Sequence, residues 1–383
     1  MNKKQKIFIF TINMGSGGAE RVISIIIPKL MQTYDVSLVV FNYQQHYKLP
    51  DNLDIIQLNN NKLNTSLKKI FSFLICLIKY IKLLKKNKVD LSISFLTRPN
   101  IINGICKIFV PKTKIIISER CFPSIAYKSY KLRLFLYKIL IPMFYNKADA
   151  LFSNSLYINE DLKNNFNVKI PMSVIYNPVI ISDKKINVTE KDTINIINVG
   201  SMSPVKNQQL ILRALINCQI NYKIMFVGDG IKREYLKNLS KELKIEKNVF
   251  FAGRVSDVNN YLLQNDCFIL SSNYEGFPNV ILEALSCGLT VISTNCTSGP
   301  LELLNCNNKV FIPMEEFVIV EYGILININD DVALYKAIDY VSKNKDFRKI
   351  MREKGIKRAK QYNVDMFINN LKKITNENSH SSK

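Results

Sequence analysis

Acidic side chains are in short supply in this 383-residue chain: 31 Asp and Glu stand against 53 Lys and Arg, a formal net charge of +22. The deficit is uneven. Residues 1–178 hold 26 basic against 9 acidic side chains, and residues 179–383 hold 27 against 22. An excess concentrated in one half points to an anionic partner for that half, either nucleic acid or an anionic membrane surface. No helix-turn-helix, zinc-finger or RNA-recognition signature accompanies the charge, so nucleic acid has nothing else in its favour. Histidine is nearly absent (His46 and His380), and the eight cysteines form neither CxxC pairs nor a metal-ligand spacing. A reduced cytosolic protein without structural zinc follows. No Asp-x-Asp pair suited to a divalent ion occurs, so no metal is expected. No apolar run reaches the roughly 18 residues of a spanning helix. The opening MNKKQKIFIFTI imitates a short signal peptide, but it lacks a small-residue cleavage site and runs straight into GSGGAE, so it reads as a first β-strand.

With 47% hydrophobic and 22% charged residues the chain is globular, and its length allows two domains of ordinary size. KIFIFTI, DVSLVVF, DLSISFL, TKIIIS and ALFSNS alternate with helical patterns in the first half. TINIINVG, YKIMFVG, NVFFAG, CFILSS, LTVIST and GILINI do the same in the second. Continuous apolar runs separated by helices are the pattern of buried parallel strands. The expected fold is therefore α/β, two doubly wound units joined near residues 177–183.

The richest segment is EGFPNVILEALSCG, residues 275–288. Glu275 stands before a Gly276–Pro278 turn that opens an apolar helical run, with proline expected at the first helical position. Glu283 lies about one turn inside the helix. Such a terminus attracts anions through its amides and dipole, while carboxylates accept hydroxyls. Together they suit a sugar nucleotide. An isolated pair of glutamates at this spacing would more commonly be a capped helix with a solvent-facing side chain. The glycine loop MGSGGAER is neither a P-loop, lacking Gly-Lys-Ser/Thr, nor a dinucleotide fingerprint, because Glu20 stands where a third glycine is needed. It remains a turn that lets backbone approach a ligand closely.

The string EGFPNVILEALSCGLTVIST resembles the signature of retaining GT-B glycosyltransferases of family 4, the glycosyl transferases group 1. IFIFTINMGSGGAERVISIIIPKL, IYNPV, INVGSMSPVKNQQLILRAL, IMFVGDG, VFFAGRVSDV and STNCTSGPLELL resemble other segments of that family, in the family's order. The resemblance implies two Rossmann-like domains facing each other across a cleft: an acceptor- and membrane-facing domain over 1–178 and a nucleotide-sugar domain over 179–383. The last helix, near 361–375, would cross back to the first domain. It implies a hexosyl- or N-acetylhexosaminyltransferase using a nucleotide sugar, UDP-linked, without metal or cofactor. Glu275 would hold donor sugar hydroxyls, and Glu283 the ribose. Lys206 would stabilise the leaving diphosphate together with the amides of 278–283, and Gly276, Phe277, Pro278 and Asn279 would line the donor site. Gly17 and Gly18 would lie against diphosphate and acceptor, and Gly228, Arg254 and Val255 near the base. Two positions depart from the family: Ser201 replaces an arginine, and Arg120 replaces a histidine. Arg120 could steady a diphosphate but cannot act as a base, and a structural ion pair in the neighbourhood of Glu119 is the alternative.

Two stretches, 67–88 and 127–147, interleave lysine with large apolar residues, the pattern of an interfacial helix or of a core helix with snorkelling lysines. For 67–88 both readings stand; for 127–147 the membrane is favoured. Lys128, Lys131 and Arg133 would meet the lipid or its diphosphate. The partners expected are thus a nucleotide-sugar donor, a polyprenyl-diphosphate-linked glycan acceptor of a bacterial surface-polysaccharide pathway such as O-antigen or capsule, and the anionic inner face of the plasma membrane. A lipid A-core or soluble acceptor, or a nucleic acid, are the alternatives.

Overall fold

A computed structural model describes residues 4–59, 66–181 and 193–376, with side chains of the second helix described from residue 72. The chain divides into two compact units, Met1–Pro178 with Val364–Lys383, and Val179–Asn363. The first contains β1 (Lys6–Thr11), α1 (Gly18–Met31), β2 (Asp35–Val40), β3 (Asp54–Gln57), α2 (Ser66–Lys86), β4 (Leu91–Phe95), α3 (Thr97–Phe109), β5 (Lys114–Glu119), α4 (Pro123–Ala126), α5 (Lys131–Tyr145), β6 (Ala150–Ser153), α6 (Leu156–Phe166) and β7 (Met172–Val174). The second contains β8 (Thr193–Val199), α7 (Gln209–Leu215), β9 (Asn221–Val227), α8 (Arg233–Glu242), β10 (Val249–Gly253), α9 (Val258–Leu262), β11 (Cys267–Leu270), α10 (Asn279–Ser286), β12 (Thr290–Thr294), α11 (Pro300–Asn305), β13 (Val318–Val320), β14 (Gly323–Ile326), α12 (Asp331–Lys343) and α13 (Lys345–Lys360). The last helix, α14 (Val364–Asn376), packs in the first unit.

Each unit is built on a seven-stranded sheet, ordered β3-β2-β1-β4-β5-β6-β7 and β10-β9-β8-β11-β12-β14-β13. All pairings are parallel except β13 with β14. The short edge strands β3, β7 and β13 have no counterpart in the sequence reading, because they are only partly buried and lack the continuous apolar run that marks the comparably short β6, β11 and β14. In both sheets the order reverses beside the first strand, between β1 and β4 and between β8 and β11. Loops leaving neighbouring strands diverge there, opening a crevice at the carboxyl ends where ligands bind in such folds.

Strand alternation assigns the two faces of the first sheet. Ile7 and Ile9 face α1 and α14, with Phe367, Ile368 and Leu371 of α14 in the same core. Phe8 and Phe10 face α2, where Phe10 stacks on Tyr80 at 4.2 Å between centroids. Stretch 67–88 is thus in part a core helix: Cys76, Tyr80 and Leu84 are buried, while Leu74 and Ile78 are exposed on its other side. The serines of DLSISFL belong to a buried network, Ser92 Oγ donating to Asn103 Oδ1 (2.7 Å) and Ser94 Oγ to Asn100 Oδ1 (2.8 Å). α3 and α5 touch backbone to backbone, since a Cβ added at Gly104 would overlap the Phe144 carbonyl oxygen. Gly104→Ala is therefore expected to destabilise the first unit by about 1–3 kcal/mol through overpacking, checked by urea denaturation. An unchanged midpoint would show that the two helices are free to separate.

Candidate active site

In the second unit, both loops that leave the reversal point carry the residues of interest. The loop after β8 is seated by backbone contact. Gly200 N donates to Val227 O (2.9 Å), Met202 N to Asp229 O (3.1 Å) and Gly228 N to Gly253 O (2.7 Å). A Cβ at Gly228 would overlap the Gly200 carbonyl oxygen, and one at Gly230 the Met202 carbonyl oxygen. The glycines of VGDG thus let three strand-end loops pack against one another. Asn207, in the left-handed region at φ 48°, ends the turn, and its amide donates to Asn329 Oδ1 (2.8 Å) and Asn273 Oδ1 (3.3 Å).

Lys206 is presented from this turn. Its Nζ lies 2.5 Å from Glu275 Oε1, and Ser272 Oγ donates to the same oxygen at 2.6 Å. Ser271 Oγ donates to the Lys206 carbonyl (2.8 Å), so the loop after β11 grips the loop after β8 at two points. The side chains of Lys206 and Glu275 retain 23% and 11% of their exposure, a partly desolvated pair. Burial, and next the Glu275 charge, push the thiol of neighbouring Cys296 up to about 12, so it stays neutral beside the pair.

The turn after Glu275 is braced from a third loop. Ser298 Oγ donates to Gly276 O (2.5 Å), and Gly299, at φ 89°, lies where any Cβ would overlap Pro278 Cδ. Pro278 is the N-cap of α10, with φ −76° and ψ 92°, one residue before the first helical position expected for it. Its extended ψ lets its carbonyl accept the Ile281 amide at 2.9 Å and start the helix. Glu283 is half-buried in the second turn of α10. Ser201 is exposed, and its carbonyl accepts from Gln208 Nε2 (3.0 Å). Arg254 is exposed and Val255 half-buried just beyond β10; no hydrogen bond or ion pair joins either to Lys206 or Glu275.

In the first unit, Arg120 leaves the end of β5. It is 8% exposed, and its guanidinium lies between the rings of Phe95 (4.8 Å) and Phe152 (5.0 Å), from the ends of the flanking strands. Nη1 donates to Asn177 Oδ1 at 2.5 Å, while Nε and Nη2 find no hydrogen-bond partner among the described residues. Burial pulls its pKa below the ordinary arginine range, with the Glu119 charge opposing, and the two ring faces favour the cation. Glu119 points the other way, as successive strand residues do. Its Oε2 accepts from Tyr145 (2.6 Å) and Thr97 (3.1 Å), and its Oε1 from Cys121 Sγ (3.3 Å). Among the described residues the two side chains form no ion pair; the contacts of Arg120 are instead the two rings and Asn177. Gly17 is the N-cap of α1 and, like Gly18, exposed. A Cβ at Gly17 would overlap the carboxylate of Glu20, a residue 9% exposed whose pKa burial raises.

Sequence models of two families match in tandem: Glycosyltransferase Family 4 over residues 16–183 and Glycosyl transferases group 1 over 179–358. The chain is a family 4 glycosyltransferase. It is 29% identical, over 94% of its length and 96% of the relative's, to N-acetylgalactosamine-N,N'-diacetylbacillosaminyl-diphospho-undecaprenol 4-alpha-N-acetylgalactosaminyltransferase of Campylobacter jejuni. It is also 29% identical, over 94% and 95% of the two lengths, to that organism's GalNAc-alpha-(1->4)-GalNAc-alpha-(1->3)-diNAcBac-PP-undecaprenol alpha-1,4-N-acetyl-D-galactosaminyltransferase. Its fold matches Anabaena Alr3699/HepE in complex with UDP with a TM-score of 0.74 at 17% identity, covering 97% of this chain and 100% of the other.

In the transferase the structure brings together Lys206, Glu275, Gly276 and Pro278. Ser272 and Ser298 were not singled out from the sequence, because neither string announces the contact made: Ser272 with Glu275 in its own loop, and Ser298 across to the Gly276 carbonyl. A pair of serines following a strand, Ser271–Ser272 after Leu270, was the one available signal for Ser272. Lys128, Lys131 and Arg133 are exposed at the start of α5, where the Arg133 guanidinium lies 5.1 Å from the Tyr130 ring. Among the described residues no group of three or more His, Cys, Asp or Glu side chains could hold a metal. Lys206→Met should leave a partly buried carboxylate without its cation and cost about 1–2 kcal/mol, between the values for exposed and buried pairs. Adding Glu275→Gln should recover part of that loss. A double-mutant cycle in urea reads the coupling, and strict additivity would mean that the two side chains do not interact.

Proposed function

We propose that this transferase moves a hexose or N-acetylhexosamine from a UDP-sugar to a polyprenyl-diphosphate-linked glycan, with retention of configuration and without a metal. The observation that carries the reading is the Lys206–Glu275–Ser272 cluster at the reversal point of the second sheet. Negative charge grows on the diphosphate as its bond to the sugar breaks, and a fixed cation beside it lowers that barrier. Lys206 supplies the cation. In the unliganded chain its charge is held by Glu275; with donor bound, Glu275 turns to the sugar hydroxyls and Lys206 to the diphosphate. The positive end of the α10 dipole, at Phe277–Asn279, adds to the field there. Glu283 accepts the ribose hydroxyls, with Ser201, Gly228, Arg254 and Val255 towards the nucleotide. The bond from sugar C1 to the phosphate oxygen breaks, the acceptor hydroxyl oxygen bonds to C1 on the same face, and its proton passes to the departing phosphate oxygen. No protein base is then needed, which accommodates Arg120 at the family's histidine position. Gly17, Gly18 and Arg120 serve the acceptor side, where the unused Nε and Nη2 groups suit a diphosphate oxygen.

The nature of the acceptor draws support from the Campylobacter relatives, whose names specify undecaprenol diphosphate, and from α5. Leu132, Phe135, Leu136, Ile139 and Met143 form one exposed stripe at helical spacing, with Leu132 73% exposed. Lys128, Lys131, Arg133 and Lys138 surround it. An apolar stripe edged by lysine and arginine is the form of a helix lying in a membrane interface. Among the described residues no helix is long and apolar enough to cross a membrane. We place the enzyme on the cytoplasmic face of a bacterial plasma membrane, where a surface glycan is assembled on its lipid.

A panel of UDP-, GDP- and ADP-sugars with a lipid-diphosphate acceptor, read by mass spectrometry, should show transfer from a UDP-sugar; transfer from none of them sinks the reading. Glu283→Ala should raise KM by about 10- to 150-fold, the loss of a hydrogen bond to a charged group. Lys206→Ala should act mainly on kcat, because its partner charge grows in the transition state. Flotation with anionic vesicles should carry the wild type at low salt and less of it as salt rises. Reversing Lys128, Lys131 and Arg133 to glutamate should weaken flotation; a wild type that stays behind would point to a soluble acceptor.

A further inference from the structure

The opposite end of the first sheet from the glycine loop holds a pocket of about 560 Å³ between the C-terminal ends of α2 and α3. Its walls are apolar: Leu84, Val89, Phe109, Val110 and Pro111. Its rim carries Lys85, Lys88 and Lys112, and a single acid, Asp90, whose Oδ2 already accepts the Lys6 amide at 2.7 Å. Lysine near a helix C-terminus ordinarily complements the dipole and the last carbonyls. Lys107, on the last turn of α3, does that: its Nζ meets Asp149 at 2.7 Å and the carbonyls of Pro111 and Thr113 at 3.1 Å. The three rim lysines do not. All are exposed, and none makes an ion pair or side-chain hydrogen bond among the described residues. The backbone around them is already satisfied, since Val89 N donates to Leu84 O (3.2 Å) and Thr113 Oγ1 to Val89 O (2.9 Å).

Helices α2, α3 and α5 share one face of the sheet, and the outer side of this row is where apolar side chains reach solvent. Leu74 and Ile78 are exposed on α2, Ile108 and Phe109 at the end of α3, and the five-residue stripe on α5. The pocket opens where α2 and α3 end, so it continues that surface.

We propose that this pocket holds one anionic phospholipid, its phosphate among Lys85, Lys88 and Lys112 and the start of its acyl chain on Phe109, Val110 and Pro111. A concave apolar wall with three uncommitted cations at its mouth complements a molecule with both parts. The inference rests on the membrane reading above and adds to it a discrete lipid site. Parallel strands advance about 3.3 Å per residue, so the site lies roughly one strand length from the carboxyl-end loops. A lipid bound there anchors the unit without occupying the acceptor's place.

The test uses the full chain and two probes: dihexanoyl phosphatidylglycerol below its micelle concentration, and vesicles of phosphatidylcholine with or without phosphatidylglycerol. The variants are Lys85→Glu/Lys88→Glu/Lys112→Glu and a control of equal charge change on the second unit, Lys223→Glu/Lys247→Glu/Lys349→Glu. Saturable binding of the short-chain lipid by wild type and control, lost in the rim variant, is expected. Vesicle partition should fall by at least about fivefold per lysine in the rim variant and by far less in the control. Transfer to a water-soluble acceptor should be unchanged, which also shows that the rim variant is folded. Equal losses in both variants would overturn the proposal, leaving only bulk charge. So would displacement of the short-chain lipid by farnesyl diphosphate at lower concentration, which would assign the pocket to the acceptor. If the wild type binds the short-chain lipid but not vesicles, the site stands and the membrane reading falls; if it binds neither, both fall.

Discussion

The second unit depends on one constraint, the reversal of strand order between β8 and β11. The two loops leaving that point are thrown apart, and something must hold them at a fixed spacing. Here it is a partly desolvated ion pair, Lys206 with Glu275, reinforced by Ser272 on the same carboxylate oxygen. Around it the supports are backbone: Asn207 in a left-handed turn, Gly228 and Gly230 against the carbonyls of the preceding loop, and Gly299 against Pro278. Backbone contacts have no rotamers to lose, so the charged groups are seated on a frame fixed by main-chain packing. The pair itself is the side-chain part of the assembly. It neutralises a carboxylate and an ammonium that are both partly withdrawn from water.

The first unit solves a different problem with different means. A guanidinium that is nine-tenths buried would be costly if left unpaired. Two aromatic faces and one amide oxygen compensate it, and two of its nitrogens, Nε and Nη2, find no hydrogen-bond partner among the described residues. Phe95 and Phe152 come from the strands on either side of β5, and Phe152 in turn meets Phe367 of α14 edge-on at 6.1 Å. The orientation of Arg120 thus draws on three strands and the last helix. Beside it Leu96 sits at φ 77°, a region that leucine adopts only when its surroundings impose it.

A charge excess and exposed apolar helix residues occur in the same unit. The excess of 17 positive charges over residues 1–178 falls on the half whose outer helices also expose leucine, isoleucine and phenylalanine. Either property alone is common on soluble proteins. Their combination along α5, with the aromatic Tyr127 and Tyr130 beneath Arg133, sets this surface apart from that of the second unit.

The sequence by itself determined the α/β class, the succession of the long strands, the uneven charge and the segments that carry Lys206, Glu275 and Arg120. These follow from periodicity and from local strings, which need no knowledge of partners. The order of strands within a sheet, the short strands β3, β7 and β13, and the helical face that stays bare were decided by tertiary structure. So was every relation between loops. Lys206 and Glu275 are 69 residues apart, and nothing in either string says that they touch. Ser298, 22 residues beyond Gly276, donates to its carbonyl and braces the turn. Glu119 and Arg120 are adjacent, and their adjacency suggested a pair; the alternation of a β-strand sent them to opposite faces. Stretch 67–88 carried the pattern of both a core helix and an interfacial one; from residue 72 onward Cys76, Tyr80 and Leu84 make one side a core side, while Leu74 and Ile78 are exposed on the other. Periodicity reports how an element is built, whereas a contact between distant residues exists only once the chain has closed around both of them.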